Sequence, residues 1–86
     1  MPSKLYELHP FQGERRVRSI DRLLVSLDLS DADATDDLLR RHLIAVALRE
    51  GVRRTEAHMF HLEIHEVRNG RPEHTVLFTF SVPVEA

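Results

Sequence analysis

The chain has 86 residues, of which 42% are apolar and 30% are charged, a balance typical of one folded globular domain over residues 1–86. It has no cysteine, so neither a disulfide nor a thiolate can contribute to its fold or its chemistry. No apolar run approaches the length of about 18 residues that a membrane span requires. Because no apolar signal-peptide core precedes Pro10 either, we expect a cytoplasmic protein that does not bind membranes.

The net charge of −2 is unevenly distributed along the chain. Residues 28–37 carry five aspartates and no basic residue, whereas residues 1–27 carry a small basic excess. The aspartates do not form a calcium loop, because the sixth position lacks the glycine and the twelfth lacks the glutamate that such loops use. The balance argues against a global attraction to nucleic acid. Basic residues are nearly all arginine, which indicates a GC-rich, bacterial genome.

The N-terminal third predicts two strands joined by a polar connection. The pattern of residues 3–9 predicts a short strand that Pro10 ends, and residues 11–19 form a polar, arginine-rich connection. Residues 22–30 also fit a helix capped by Ser19, but strict alternation favours a strand. The alternating apolar side chains are Leu23, Val25, Leu27 and Leu29.

Residues 34–50 predict the one long helix. Thr35 or Asp33 can cap its start, and Gly51 follows its end, where a left-handed residue is expected. A helix of about 16 residues spans about 24 Å, so it can cross one sheet face to a neighbouring parallel strand. Its predicted apolar face consists of Leu39, Leu43, Val46 and Ala47.

The C-terminal third predicts a β-hairpin formed by residues 57–67 and 75–82. Asn69-Gly70 lies between the two segments and is a strong turn signal. A two-residue turn there would mix the apolar and polar faces, so we expect a three-residue loop that starts at Arg68. The resulting register pairs Phe60 with Phe78, Leu62 with Val76, and His65 with Glu73.

These elements predict an α+β fold. Its expected core is a four-stranded, mainly antiparallel sheet in the chain order β-β-α-β-β, with the long helix packed on one face. No family resemblance accompanies this order, and fold alone does not assign a function.

Histidines are the first candidate functional residues. On a strand, His61, Glu63 and His65 form a row on the face opposite the apolar side chains, with neighbours about 6.6 Å apart. Because the two histidines are then about 13 Å apart, one metal cannot bind both, and a metal would need a ligand from elsewhere. If the segment were a helix, His58, His61 and His65 would share one face. Metal or small-ligand binding through His61, Glu63 and His65 is therefore an alternative function.

An arginine-rich arm is the second candidate. Arg15, Arg16 and Arg18 could contact phosphates, since the guanidinium group suits that chemistry. No aromatic residues accompany them, and the aspartate block follows closely. A nucleic-acid accessory role is therefore a further, less favoured alternative.

The leading prediction is a small non-catalytic interaction or assembly module that requires no cofactor. The sequence has no phosphate-binding glycine loop and no nucleophile elbow, so we do not expect an enzyme. One sheet face remains uncovered by the single helix, and the uncharged last strand offers an edge for pairing. We therefore expect a homo-oligomer, most simply a homodimer. The predicted interface residues are Met59, Leu77, Thr79 and Ser81.

Overall fold

The computed structural model describes residues 3–18 and 22–84. It is an α+β fold in which an antiparallel six-stranded sheet packs against one main helix. In chain order the elements are β1 (Lys4–Gln12), β2 (Arg15–Arg16), β3 (Leu23–Leu27), α1 (Ala32–Arg49), a 3₁₀ helix (Arg54–Met59), β4 (Phe60–Arg68), β5 (Arg71–Pro72) and β6 (Phe78–Ser81).

The sheet confirms the α+β prediction, but it has six strands instead of four. β1 and β4 pair along most of their length and form the centre of the sheet. On the far side of β1 lie β3 and the two-residue strand β2, and on the far side of β4 lie β6 and the two-residue strand β5. Because β3 and β4 are both antiparallel to β1, they are parallel to each other, as expected of a helical crossover. They are not neighbours, however, since β1 lies between them.

The prediction that Pro10 ends the first strand is wrong. β1 continues to Gln12, and Pro10 is a buried strand residue opposite Leu62 of β4. The carbonyl of Pro10 accepts a hydrogen bond from Val17, so its nitrogen, on the same side, faces the gap between β2 and β3. A proline is tolerated there because no strand needs the missing N–H.

Residues 23–27 form a strand, as the alternation predicts. Val25 and Leu27 are buried, whereas Leu29 lies beyond the strand in a turn and is 41% exposed, contrary to the expectation that it faces inward. The alternative helix would have begun at Ser19, which lies outside the described residues.

Helix α1 begins two residues earlier than residue 34, at Ala32. Its N-cap is Asp31, whose carboxylate accepts from the Ala34 N–H, so neither Thr35 nor Asp33 has the predicted capping role. The helix ends at Arg49, and Gly51 follows with the left-handed conformation that the sequence predicts, at a φ of 81°. Bonds from Gly51 N–H to Leu48 and from Val52 N–H to Ala47 complete a Schellman motif.

The core lies between α1 and the inner face of the sheet. All four predicted helix residues, Leu39, Leu43, Val46 and Ala47, are buried. They meet the inner side chains of β4, Phe60, Leu62 and Ile64, which are at most 1% exposed. This burial is the main driving force that holds the helix on the sheet.

The predicted hairpin register is wrong, although its parity is right. Arg68 pairs with Arg71, so Asn69-Gly70 forms the two-residue turn rejected above, with positive φ values of 53° and 76°. Further along, Leu62 pairs with Phe80 and not with Val76.

An irregular segment restores the alternation after the turn. The N–H of Glu73 donates to Glu66, and the N–H of Leu77 donates to Ile64, both at 2.8 Å. Between these two hydrogen bonds lie two residue steps of β4, from Glu66 to Ile64, but four steps of the segment opposite, from Glu73 to Leu77. Residues 74–76 therefore bulge out of the sheet. The prediction failed because it assumed unbroken pairing from the turn onward.

No helix within the described ranges is both long and apolar enough to cross a membrane.

Candidate functional site

The sheet face opposite α1, here called the outer face, carries a compact group of ionisable side chains at its centre. In the central strands Glu7 lies opposite His65, and His9 lies opposite Glu63. Acids and histidines therefore alternate both along and across the strands, and we call these four residues the Glu–His cluster. The strand placement of His65 and Glu63 agrees with the sequence analysis, but Glu7 and His9 were not identified there.

Glu7 is the best-connected member of the Glu–His cluster. Its side chain is 6% exposed, and its carboxylate accepts hydrogen bonds from His9 Nε2 at 3.1 Å and from the guanidinium of Arg22. Arg22 also donates to the carbonyl of Gly70 at 2.6 Å, so the turn between β4 and β5 curls toward the start of β3.

These contacts set the ionisation of Glu7. Burial alone would raise the pKa of its carboxyl group, but the hydrogen bonds from His9 and Arg22 and their charges outweigh burial and lower it. Glu7 is consequently held as a carboxylate. Through Arg22, this carboxylate links β1 to the start of β3 and to the turn at Gly70.

His65 is the buried member of the Glu–His cluster that contacts Glu73, where the irregular segment begins. Its Nδ1 lies 2.7 Å from the carbonyl oxygen of Glu73, and because a carbonyl only accepts, Nδ1 carries the proton. Its ring stacks on that of His9, with centroids 4.2 Å apart. The other nitrogen, Nε2, is buried, has no hydrogen-bond partner among the described residues, and lies 3.5 Å from a carboxylate oxygen of Glu63.

The residues proposed as metal ligands are not gathered around one point. His61 stacks on Phe11 with centroids 5.1 Å apart, at the other end of the row from His65. Among residues 3–18 and 22–84, no group of three histidine or acidic side chains is arranged to hold a metal ion. His58 belongs to the 3₁₀ helix, so the three-histidine helical face is also not formed.

Three of the four predicted interface residues lie on or beside the last strand. Thr79 and Ser81 belong to β6, opposite Glu63 and His61 of the outer face. Leu77 just precedes β6 and is 46% exposed. Met59 does not join them, because it ends the 3₁₀ helix before β4 begins.

The centre of the outer face is polar, which the predicted interface did not take into account. That prediction used only the two C-terminal strands and missed Glu7 and His9 of β1 and the neighbouring Arg22. Apolar and ionisable residues alternate in Tyr6-Glu7-Leu8-His9 as they do in β4. This shared alternation is the signal that could have predicted the pairing of β1 with β4. A face with this centre is a poorer apolar docking surface than predicted.

A second candidate surface is the free edge of β6 with the groove beside it. Within the described residues, β6 pairs only with β4. The strand has no charged side chain to discourage pairing at this edge. A groove of about 320 Å³ lies between β6 and the start of α1. Its apolar lining comes mainly from Leu29, Leu39, Phe78 and Phe80, and Asp36 lies at its polar margin.

The opposite edge of the sheet, at β3, is less suited to pairing. β3 pairs only with β1 in the part of the chain that the structure describes. The depression beside it is smaller, about 200 Å³, and its lining includes Asp28 and Asp31. The β6 edge therefore combines a free strand with the larger groove, which has one aspartate in its lining instead of two.

A larger depression of about 740 Å³ lies at the turn between β4 and β5. It is lined almost entirely by polar side chains, and its Arg68 is already paired with Glu66 and Glu73. None of the side chains that line it is buried, so it forms no enclosed site.

The arginine-rich arm forms the end of the first hairpin. Arg15 and Arg16 make up β2 and, like Arg18, are exposed. Arg15 donates to the side chain of Gln12 at 2.9 Å. Val17, which lies between Arg16 and Arg18, is buried in the core. The three arginines thus lie on an anchored hairpin end, which presents them to solvent without forming a pocket.

The comparison with known proteins does not extend this description. No protein-family model, curated protein or solved structure matches the chain.

Proposed function

We propose that this protein is a small non-catalytic assembly module that functions as a homo-oligomer, most simply a homodimer. The observation that carries the proposal is the free, uncharged edge of β6 beside an apolar groove. A strand edge of this kind readily accepts another strand, because its backbone groups have no partner within the sheet.

The size of the protein supports the same proposal. A chain of 86 residues buries a smaller fraction of its surface than a larger domain does, and association is a common supplement to a small core. The ionisable groups of the outer face support a non-catalytic role, because Glu7 is engaged with His9 and Arg22 and His65 is engaged with Glu73.

Light scattering coupled to size-exclusion chromatography tests the proposal. At about 10 μM and again at about 100 μM, we expect a mass greater than that of one chain, which approaches the dimer mass as the concentration rises. A mass of one chain at both concentrations would show that the protein does not self-associate and would refute the proposed function.

A further inference from the structure

We infer that the partner strand at β6 is the β6 strand of a second copy, paired antiparallel about a twofold axis so that one sheet continues across both protomers. The inference rests on the proposed function and specifies the surface that performs it. Three observations lead to it: the direction of the backbone groups, the arrangement of charge along the groove, and the spacing of the phenylalanines.

The backbone of β6 has groups available for a partner. Phe78 and Phe80 lie opposite Ile64 and Leu62, and the carbonyl of Ile64 faces the β6 side because it accepts from Leu77 N–H. Backbone groups alternate in direction along a strand, so those of Thr79 and Ser81 point to the free edge. These two residues would therefore supply the hydrogen bonds to the second copy.

Charges at the two ends of the edge have opposite sign. Near Phe78 and Phe80, the groove is bordered by the acidic Asp36. Near Val82 and Pro83, the neighbouring depression is bordered by the basic Arg40 and Arg54.

Arg54 has no ion-pair partner among the described residues, whereas Asp36 lies 3.4 Å from Arg40 in an exposed pair. An antiparallel, twofold-related copy brings the acidic end of each protomer to the basic end of the other. The edge is thus complementary to itself, which favours a second copy over an unrelated strand.

The side chains exclude the registers that would place inner residues opposite outer ones, and among the remaining registers we infer the one with the twofold axis at Phe80. Residues directly opposite each other in an antiparallel pair lie on the same face of the sheet. A twofold axis at Phe80 pairs Phe80 with its own equivalent, Phe78 with Val82, and Thr79 with Ser81. The apolar side chains of both copies then form one continuous row over the two grooves, and Asp36 approaches Arg54 of the second copy.

The backbone part of the inference is tested with two proline variants. Thr79→Pro removes an N–H that points to the free edge, so it should leave the monomer folded but prevent pairing. Ser26→Pro is the matched control, because Ser26 lies opposite Leu5 at the other edge of the sheet, where its N–H also points outward. We expect Thr79→Pro to raise the dimer dissociation constant at least about tenfold and Ser26→Pro to leave it unchanged.

Exchanging the charges of Asp36 and Arg54 tests whether these two residues face each other across the twofold axis. Asp36→Arg and Arg54→Asp should each weaken the dimer, because each places like charges across the twofold axis. The double variant, Asp36→Arg with Arg54→Asp, should restore the dimer. Asp37→Arg is the control, since Asp37 forms the equivalent exposed pair with Arg41 one position along the helix. Circular dichroism of every variant verifies that the fold is retained.

The outcomes separate this inference from the proposed function. A wild-type protein that stays monomeric contradicts both. A wild-type dimer that persists in Thr79→Pro, or that the double charge exchange fails to restore, overturns the β6 pairing and leaves self-association established. In that case Leu77→Glu, which places a charge beside the outer face, should dissociate the dimer instead.

Discussion

The two faces of the sheet solve the problem of burial in different ways. On the inner face, Phe60, Leu62 and Ile64 of β4 lose nearly all contact with water by packing against helix α1. On the outer face no helix within the described ranges covers the same strand, yet His65 is 5% exposed, as is Glu7 beside it. The inner face is stabilised by apolar area, which is not directional, and the outer face by specific hydrogen bonds and a stacked ring pair. The comparison shows that polar side chains can bury one another when their strands are correctly registered.

The largest expected effect compares one residue type on the two faces. We expect Phe60→Ala to lower the free energy of unfolding by about 3 to 5 kcal/mol, because Phe60 is 1% exposed and its removal leaves a cavity. Phe11→Ala is the matched change on the outer face, where the ring is only partly buried against His61, and should cost about 1 kcal/mol. Urea denaturation measures both. Equal losses would contradict the difference between the faces.

The next largest expected effect concerns the carboxylate of Glu7 on the outer face. Glu7→Gln should lower the free energy of unfolding by about 1.5 to 3 kcal/mol, since it weakens charge-assisted hydrogen bonds with His9 and Arg22. Glu14→Gln, at an exposed turn position, serves as the control and should change it by less than about 0.5 kcal/mol. The same urea series measures the two variants, and a Glu7→Gln protein as stable as the control would show that the cluster contributes no stability.

Acidification should remove the contribution of Glu7. Its pKa is lower in the folded protein than its usual value of 4.5, so the unfolded chain binds a proton more readily. The stabilisation is therefore complete above the unfolded pKa and is lost as the pH falls through the folded pKa. We expect the stability difference between wild type and Glu7→Gln to shrink as the pH is lowered from neutral toward about 3. A difference that stays constant over that range would mean that Glu7 does not titrate as its contacts require.

The smallest expected effect concerns the buried Nε2 of His65 on the outer face. His65→Phe keeps a flat ring beside His9 and removes both the buried Nε2 and the bond to the Glu73 carbonyl. The two changes oppose each other, so we expect the free energy of unfolding to shift by less than about 1 kcal/mol in either direction. Thermal or urea denaturation is sufficient to measure it. A loss as large as that of Phe60→Ala would mean that His65, and not the apolar core, holds this part of the sheet together.

Local pattern alone predicted the main helix, the longer strands and the inner face of this protein, but not the two short strands or the 3₁₀ helix. The alternation of β3, the helical repeat of α1 and the left-handed Gly51 are read over a few neighbouring residues. All four residues predicted for the buried side of the helix are buried, because an amphipathic helix has one surface that must leave water.

Only the tertiary structure decided the register of the last strands and the composition of the outer face. Asn69-Gly70 forms a two-residue turn, and residues 74–76 bulge out so that Phe78 and Phe80 still reach the inner side, a compensation that no local pattern contains. Glu7 and His65 are distant in sequence and meet because β1 and β4 pair in one register. Contacts between distant segments depend on that pairing, which balances turn geometry against burial over the whole sheet, and this is the physical reason that the sequence predicted the strands but not the cluster they form.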